Sequence, residues 1–197
     1  RNGVPILPGS QGAVDVTEAE AFFDDHGGIM IKAIAGGGGR GMRAIHDRGE
    51  IAGALALCQG EAIQAFGNGD VFVERLLERP RHIEIQIVGD SNGAITHLGE
   101  RECSIQRRHQ KLVELAPAPG LAPALRDKLT ASAVALAGAV DYRSLGTFEF
   151  LVDGDDYFFI EANPRLQVEH TVTEEVWGVD LVQTQLHITG GATLGDL

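Results

Sequence analysis

The sequence has no long apolar run, few cysteines and fewer basic than acidic residues. No segment approaches the roughly 18 apolar residues of a membrane helix, and no signal-peptide pattern opens the chain. Its two cysteines, Cys58 and Cys103, lack C-x-x-C spacing, which is typical of reduced thiols in a cytosolic protein. The formal net charge of −12 argues against a nucleic-acid-binding protein, whose surface would be basic. We therefore expect neither a membrane nor a nucleic acid among its partners.

What is present is enough chain for one core or for two small lobes, with 197 residues and 21.0 kDa. The first residue is Arg1 rather than Met, so we expect a piece of a longer protein. One segment, "RECSIQRRHQK" at 101–111, is basic within an acidic chain. It indicates either a site for a small anion or a solvated basic loop.

Hydrophobic periodicity predicts strands and helices without regular alternation, which is typical of an α+β fold. The predicted extended segments are 28–34, 42–47, 70–77, 82–88, 94–98 and a phenylalanine-rich hairpin at 147–161. The predicted helices are 50–66, a helix starting at Pro123, and 180–189. The buried stripe of the second helix is predicted to contain Leu125, Leu129, Leu136 and Val140.

A glycine-rich stretch, "GGGGRG" at 36–41, matches the dinucleotide-binding pattern G-x-G-x-x-G only formally, because an extended segment follows it. A Walker A loop would place its lysine after the glycines, whereas Lys32 precedes them. Protein kinases use a similar flap, but the sequence contains no HRD or DFG. Strand, glycine loop and strand predict a flap whose amides cover phosphates, with Lys32 as a point charge. The alternative is a flexible hairpin tip.

Two carboxylates, Glu149 and Glu161, flank the tip of the predicted hairpin. A four-residue loop would pair Val152 with Tyr157 and put them on opposite faces. A three-residue loop, or a bulge, would put them directly opposite each other, with Cβ atoms about 4.5–5.5 Å apart. Carboxylates that close repel unless a cation lies between them, and oxygen ligands suit Mg²⁺. Asn163 could add a further oxygen, and the alternative is a pair of solvent-facing acids.

Five strings together resemble the biotin carboxylase family, whose central module is an ATP-grasp domain. They are "KAIAGGGGRGM", "RHIEIQ", "GERECSIQRRHQK", "GTFEFL" and "IEANPRLQVEHTVTE". The resemblance covers nearly the whole chain. Carbamoyl-phosphate synthetases share the fold, but "SIQRRHQK" and "RLQVEH" are not expected in them. The resemblance implies an α+β ATP-grasp fold. Its lid subdomain, with the glycine-rich flap, would cover about 10–75, and a larger subdomain with a mixed or antiparallel sheet and helices would cover about 76–197.

The resemblance also implies roles for individual residues. The implied ATP contacts are Lys32, Gly36, Gly37, Gly38, Gly39, Arg40, Gly41, Met42, Glu74, Arg75, Leu77, His82, Gln106 and His109. The implied ligands of Mg²⁺, or of Mn²⁺ in its place, are Glu149, Glu161 and Asn163. The implied bicarbonate contacts are Lys111, Arg165, Gln167 and Val168, and the catalytic residues are Glu169, Arg165 and Lys111. Arg75 and Ala162 depart from the family pattern, and we expect a mild effect because the hinge at 74–77 acts mainly through its backbone.

The stretch "IEANPRLQVEH" at 160–170 places a polar residue at every second position. If it is extended, alternation sends Arg165, Gln167 and Glu169 into a cleft, while Leu166 and Val168 anchor the segment. Arg165 could then hold bicarbonate with two parallel hydrogen bonds. By the resemblance, Glu169 deprotonates bicarbonate as it attacks the γ-phosphate of ATP. The implied product is carboxyphosphate, which delivers CO₂ to biotin.

The complete protein implied by the resemblance is the biotin carboxylase part of an acyl-CoA or pyruvate carboxylase. It would be a ligase that uses ATP, Mg²⁺ and bicarbonate, with biotin as substrate on a carrier domain and a separate carboxyltransferase as partner. We expect a cytoplasmic location, or the mitochondrial matrix in a eukaryote, and no activity from this piece alone. Two other interpretations stay open: a carboxylate–amine or acyl-phosphate ligase of the same fold, and a fragment that only binds nucleotide.

Overall fold

The structure is a computed structural model that describes residues 2–37 and 41–196. These residues form two compact units. The small unit contains the described residues of 7–79 and 107–110, and the large unit contains the others. The prediction of an α+β fold is confirmed, because both units combine an antiparallel sheet with helices.

The chain order of the elements starts with those of the small unit. They are α1 (Val16–His26), β1 (Ile29–Ala33), β2 (Met42–Ile45), a 3-10 turn (Arg48–Glu50), α2 (Ile51–Phe66) and β3 (Val71–Arg75). The sheet of the large unit is built from β4 (Arg81–Gly89), β5 (Ile95–Arg107), β6 (Gln110–Leu115), β7 (Ser144–Asp153) and β8 (Asp156–Asn163). Its helices are α3 (Pro123–Gly138), α4 (His170–Trp177), α5 (Leu181–Thr189) and a 3-10 turn (Leu194–Asp196).

The sheet of the small unit has the order β2-β1-β3, with both pairings antiparallel. Ile29 and Ile31 alternate with more exposed residues along β1 and pack with buried residues of α1 and α2. Lys32 comes between Ile31 and Ala33, so its side chain lies on the face opposite to this apolar core. The two-residue period of β1 thus presents a lysine on one face while the other face is covered by helices.

The sheet of the large unit has the order β6-β5-β4-β7-β8. Ile83, Ile85 and Ile87 of β4 point to one face, where they pack with Leu125 and Leu129 of α3. The alternation predicted for 82–88 is therefore confirmed. Its other face carries His82, Glu84 and Gln86, and this polar face belongs to the candidate site described below.

The β7–β8 hairpin confirms that Glu149 and Glu161 are directly opposite each other. A bulge, and not a three-residue loop, brings them opposite each other, because Asp153 pairs with Asp156 and Val152 pairs with Tyr157. The register then shifts by one residue between Glu149 and Phe150. A bulge places two residues opposite one, and this extra residue returns both glutamates to the same face.

Several predicted elements end elsewhere in the structure. Val140 lies beyond the end of α3 and is 66% exposed, so its assignment to the buried stripe was wrong; Ala133 and Ala137 are buried instead. The strand predicted at 94–98 continues to Arg107, because its last residues pair with β4 and β6. Helices α1 and α4 and strand β6 were not predicted. No helix within the described residues is long and apolar enough to cross a membrane.

Candidate active site

The polar face of β4 is buried, although strict alternation is usually the mark of a strand with one solvated face. Glu84 is 0% exposed and Gln86 is 1% exposed. Buried carboxylates require partners, since an unpaired buried charge is strongly unfavourable. The partners of Glu84 come from β5 and β6, and they connect it to most of the predicted catalytic residues.

Lys111, on β6, lies among three carboxylates. Its Nζ donates to Glu84 Oε2 at 2.5 Å, to Glu169 Oε1 at 2.7 Å and to Glu149 Oε1 at 2.9 Å. Burial disfavours the charged ammonium, but the three carboxylates outweigh that effect and raise the pKa of Lys111 above its usual range. Lys111 is therefore a permanent cation that all three acids share.

Glu149, on β7, receives hydrogen bonds from several sides. Its Oε2 lies 2.7 Å from His82 Nε2, and its Oε1 accepts hydrogen bonds from Lys111, Asn163 and Gln167 at 2.9, 2.9 and 3.0 Å. Burial alone would raise the pKa of this carboxyl, but the bonds and charges of His82 and Lys111 lower the pKa to about 2. Glu149 is therefore ionised at neutral pH.

Glu169 lies just before α4. It accepts a hydrogen bond from Lys111, and this bond joins it to the cluster formed by Lys111, Glu84 and Glu149. Burial raises the pKa of its carboxyl, but the hydrogen bond from Lys111 and the charges of Lys111 and Arg101 lower the pKa overall. The carboxylate form, which can accept a proton, is therefore the form present at neutral pH.

The segment that carries Arg165, Gln167 and Glu169 is not extended as predicted. β8 ends at Asn163, and 164–169 form a bend and a turn that lead into α4. Gln167 is buried and donates to Glu149, whereas Arg165 is exposed and donates from Nη1 to the Leu166 carbonyl at 3.3 Å. Leu166 packs against the apolar cluster near α5, as an anchor should. Val168 is 90% exposed, so its anchoring role was wrong, since a turn does not keep the two-residue period of a strand.

The predicted metal ligands meet on one face of the hairpin. Asn163 Nδ2 donates to Glu149 Oε1 at 2.9 Å and to Glu161 Oε1 at 3.2 Å, so one amide reaches both carboxylates. Two carboxylates and an amide are oxygen donors of the type that Mg²⁺ prefers. A half-turn about the last torsion of Asn163 would present its oxygen in place of its nitrogen. The residues present therefore fit a divalent cation.

The predicted nucleotide contacts are divided between the two units. In the small unit, Lys32 forms an ion pair with Glu74, and Met42 is the strand partner of Lys32. Arg75 ends β3 and Leu77 follows it, and Gly36 and Gly37 are exposed just after β1. Gly41 needs its positive φ of 65°, and a Cβ there would lie 3.1 Å from that of Ala33. The predictions for Gly38, Gly39 and Arg40 lie outside the described residues.

In the large unit, His82 and Gln106 lie together, with Gln106 Nε2 2.7 Å from His82 Nδ1. His109, in contrast, belongs to the small unit. It is exposed on the two-residue turn between β5 and β6, where Arg108 and His109 have φ of 54° and 63°. Such left-handed pairs are typical of tight hairpin turns.

For two residues that contact this group of side chains, Glu84 and Arg101, the sequence predicted no role. Glu84 lies between His82 and Gln86 on the polar face of β4, and Arg101 belongs to the basic segment. The available signal was the strict alternation of "RHIEIQ", since every second residue there is polar. That signal could not show that the polar face is covered by other elements.

These features define a class of protein. Residues 1–197 match the family model described as "Carbamoyl-phosphate synthase L chain, ATP binding domain", and the chain belongs to this family. The fold is thus that of an ATP-binding domain.

The particular relatives are a pyruvate carboxylase and two biotin carboxylases. The chain is 54% identical over 200 residues to a pyruvate carboxylase of Aspergillus niger. The alignment covers 100% of this chain and 17% of that protein. It matches the Campylobacter jejuni biotin carboxylase–β-γ-ATP complex with a TM-score of 0.94 and 45% identity, over 98% of this chain and 44% of that one. It also matches the biotin carboxylase domain of the Hydrogenobacter thermophilus 2-oxoglutarate carboxylase, in complex with MgADP, ADP and bicarbonate, at TM-score 0.93 and 46% identity, over 98% of this chain and 44% of that one. The resemblance to biotin carboxylases and the ATP-grasp fold are confirmed.

Proposed function

We propose that the complete protein carboxylates biotin, using ATP and bicarbonate, with carboxyphosphate as the intermediate. The chain spans about 17% of the pyruvate carboxylase and 44% of the solved biotin carboxylases that it matches, so the proposal concerns the protein to which it belongs. The single observation that carries it is the hydrogen bond between Glu169 and Lys111, which also contacts the carboxyl groups of Glu84 and Glu149.

In this proposal, Glu169 is the base. It is ionised, and its partner Lys111 is a cation that stabilises an anion bound next to it. When bicarbonate binds, its proton passes to the Glu169 carboxylate as the bicarbonate oxygen attacks the γ-phosphorus of ATP. The bond from phosphorus to the β,γ-bridging oxygen breaks, and ADP leaves with its electron pair.

Other residues of the chain would bind and orient the bicarbonate. Gln167 is 7% exposed, and its Nε2 uses one hydrogen on Glu149, so the second hydrogen can be donated to a bicarbonate oxygen while the bicarbonate proton stays directed at Glu169. Arg165, which is exposed, would have to turn toward the anion to pair with it. Val168 would contribute through its backbone, because its side chain faces solvent.

The remaining residues would bind ATP and its metal. Lys32 would exchange Glu74 for the phosphates, and the glycines at 36–41 would cover them with backbone amides. Glu149, Glu161 and Asn163 would hold Mg²⁺, which when bound neutralises the negative charge on the phosphate oxygens. The lid at about 10–75 and the larger subdomain at about 76–197 are proposed as the two parts that contribute these groups.

We further propose that biotin arrives on a carrier domain and that a separate carboxyltransferase uses the product. A cytosolic location, or the mitochondrial matrix in a eukaryote, is in keeping with two cysteines that are buried and free.

The test is an assay of the full-length protein with Mg²⁺, ATP and biotin, with and without bicarbonate. We expect ADP release to require bicarbonate, and ¹⁴C from labelled bicarbonate to appear in acid-labile carboxybiotin. ADP release that depends on an amine or another carboxylate instead would identify a different ligase of this fold. Nucleotide binding without any turnover would identify a binding module.

A further inference from the structure

Arg101 is almost completely buried in the large unit, with 1% of its surface exposed. Its guanidinium donates from Nε to Glu84 at 2.5 Å and from Nη1 to Gln86 at 2.9 Å. Nη1 also donates to Thr173 Oγ1 at 2.7 Å, and Nη2 to Thr147 Oγ1 at 3.4 Å. These partners belong to β4, β7 and α4, so one side chain joins three elements.

Stability alone is a weak reason for such a residue. A buried ion pair costs so much desolvation that well-packed apolar residues often replace it without loss. The partners of Arg101 point to another role, because two of them lead to Glu169 by separate routes.

The first route passes through Glu84. One oxygen of this carboxylate accepts from Arg101, and the other accepts from Lys111. Lys111 in turn donates to Glu169 at 2.7 Å. Three consecutive charge-assisted hydrogen bonds therefore link Arg101 to the Glu169 carboxylate.

The second route passes through the backbone of α4. Glu169 directly precedes this helix, and Thr173 is its buried residue, one turn further along. Because Arg101 donates to Thr173 Oγ1, it ties the first turn of α4 to the sheet. The position of Glu169 is thus held from its side chain and from its backbone by the same guanidinium.

We propose that Arg101 is a positioning residue for Glu169 and Lys111, acting through Glu84 and Thr173. This inference rests on the proposed function, since that function makes Glu169 the base. Lysine cannot replace the arginine, because an ammonium is a point charge that cannot reach partners on three sides with a rigid planar fork. A displacement of the base by about 1 Å can lower turnover about 10²-fold.

The test uses Arg101→Lys in the full-length protein, since this variant keeps the buried positive charge. Arg126→Lys is the matched control: Arg126 Nε donates to buried Glu100 at 2.7 Å, and neither residue belongs to the candidate site. We expect kcat for bicarbonate-dependent ATP cleavage to fall about 10²-fold in Arg101→Lys only. We expect its KM for ATP and its thermal midpoint to match those of the control.

A second variant, Arg101→Met with Glu84→Gln, removes both buried charges, so that folding does not leave Glu84 unpaired. We expect this variant to fold and to be at least as slow as Arg101→Lys. Turnover of either variant within about threefold of the Arg126→Lys control would overturn the inference, as would equal losses in Arg101→Lys and the control. If the wild-type protein cleaves ATP without bicarbonate, the proposed function fails and the inference fails with it. If Glu169→Gln is inactive but Arg101→Lys is not, only the inference fails.

Discussion

Two lysines, one in each unit, differ in the number and the burial of the glutamates that they contact. Among the residues that the structure describes, Lys32 in the small unit has one carboxylate partner, Glu74, and the two side chains are 18% and 20% exposed. Lys111 in the large unit has three carboxylate partners, of which Glu84 is fully buried. Both side chains have similar exposure, so the difference lies in the number and burial of their partners.

The two arrangements differ in how easily the lysine can exchange its carboxylate partner for a ligand. A single, partly solvated partner can be exchanged for a ligand at little cost, which suits the phosphate-binding role proposed for Lys32. A network of buried charges keeps its arrangement, because removing any member leaves another charge without compensation. The first arrangement therefore suits the nucleotide binding proposed for Lys32, and the second suits the catalytic role proposed for Lys111.

The largest expected effect is that of Glu169→Gln, which separates catalysis in the large unit from nucleotide binding. We expect bicarbonate-dependent ATP cleavage by the full-length protein to fall about 10²–10⁴-fold, the usual contribution of a general base. The affinity for ATP should stay nearly unchanged, because Glu169 bonds to Lys111 and not to a predicted nucleotide residue. Steady-state kinetics and ATP titration check both values. Glu175→Gln, an exposed change on α4, is the control, and turnover equal to that control would place the base elsewhere.

The second prediction compares how much a buried ion pair, Arg101–Glu84, and a partly solvated one, Lys32–Glu74, stabilise their units. Glu84→Gln leaves the buried Arg101 without its carboxylate and should destabilise the large unit by about 3–5 kcal/mol. Glu74→Gln removes a partly solvated pair and should cost about 1 kcal/mol or less. Hydrogen–deuterium exchange of β4 and β5 in the first variant, and of β1 and β3 in the second, measures these values. Equal costs would mean that burial does not distinguish the two pairs.

The third prediction is a loss of stability in acid that depends on Glu149. Its folded pKa of about 2 lies below the ordinary value of 4.5, so its contribution is fully present above about pH 5. It is lost as the pH falls toward 2, and its magnitude is of the order of 3 kcal/mol. Thermal midpoints measured in EDTA from pH 6 to pH 3 should fall more steeply for the wild type than for Glu149→Gln. Parallel curves would contradict the assignment.

The fourth prediction concerns the effect of Lys32→Ala on ATP binding. Loss of one charge-assisted contact should weaken binding by about 1.5–3 kcal/mol. Lys128→Ala, an exposed change on α3, controls for net charge. Calorimetric titration of the full-length variants checks the difference, and equal affinities would remove Lys32 from the nucleotide site.

Whether an element was predicted correctly depends on whether the periodicity of nearby residues alone fixes its structure. The strands 82–88 and 28–34 and the helix that starts at Pro123 were predictable, because burial on one face imposes a period of 2 or 3.6 on the residues. Val140 and Val168 were misplaced because each lies where a helix or strand has already ended, and periodicity does not show the end. The pairing of Glu149 with Glu161 required a bulge, and one added residue reverses the facing of every residue after it.

The sequence by itself determined the α+β fold class, the resemblance to biotin carboxylases and most of the candidate site residues, since these depend on local periodicity and on short motifs. Only the tertiary structure decided that the polar face of β4 is buried and that Lys111 joins Glu84, Glu149 and Glu169. It also decided that Arg101 connects β4, β7 and α4. The physical reason is that the energy of a charge depends on what surrounds it. The residues that surround Arg101 come from positions 84, 86, 147 and 173, which no local pattern links.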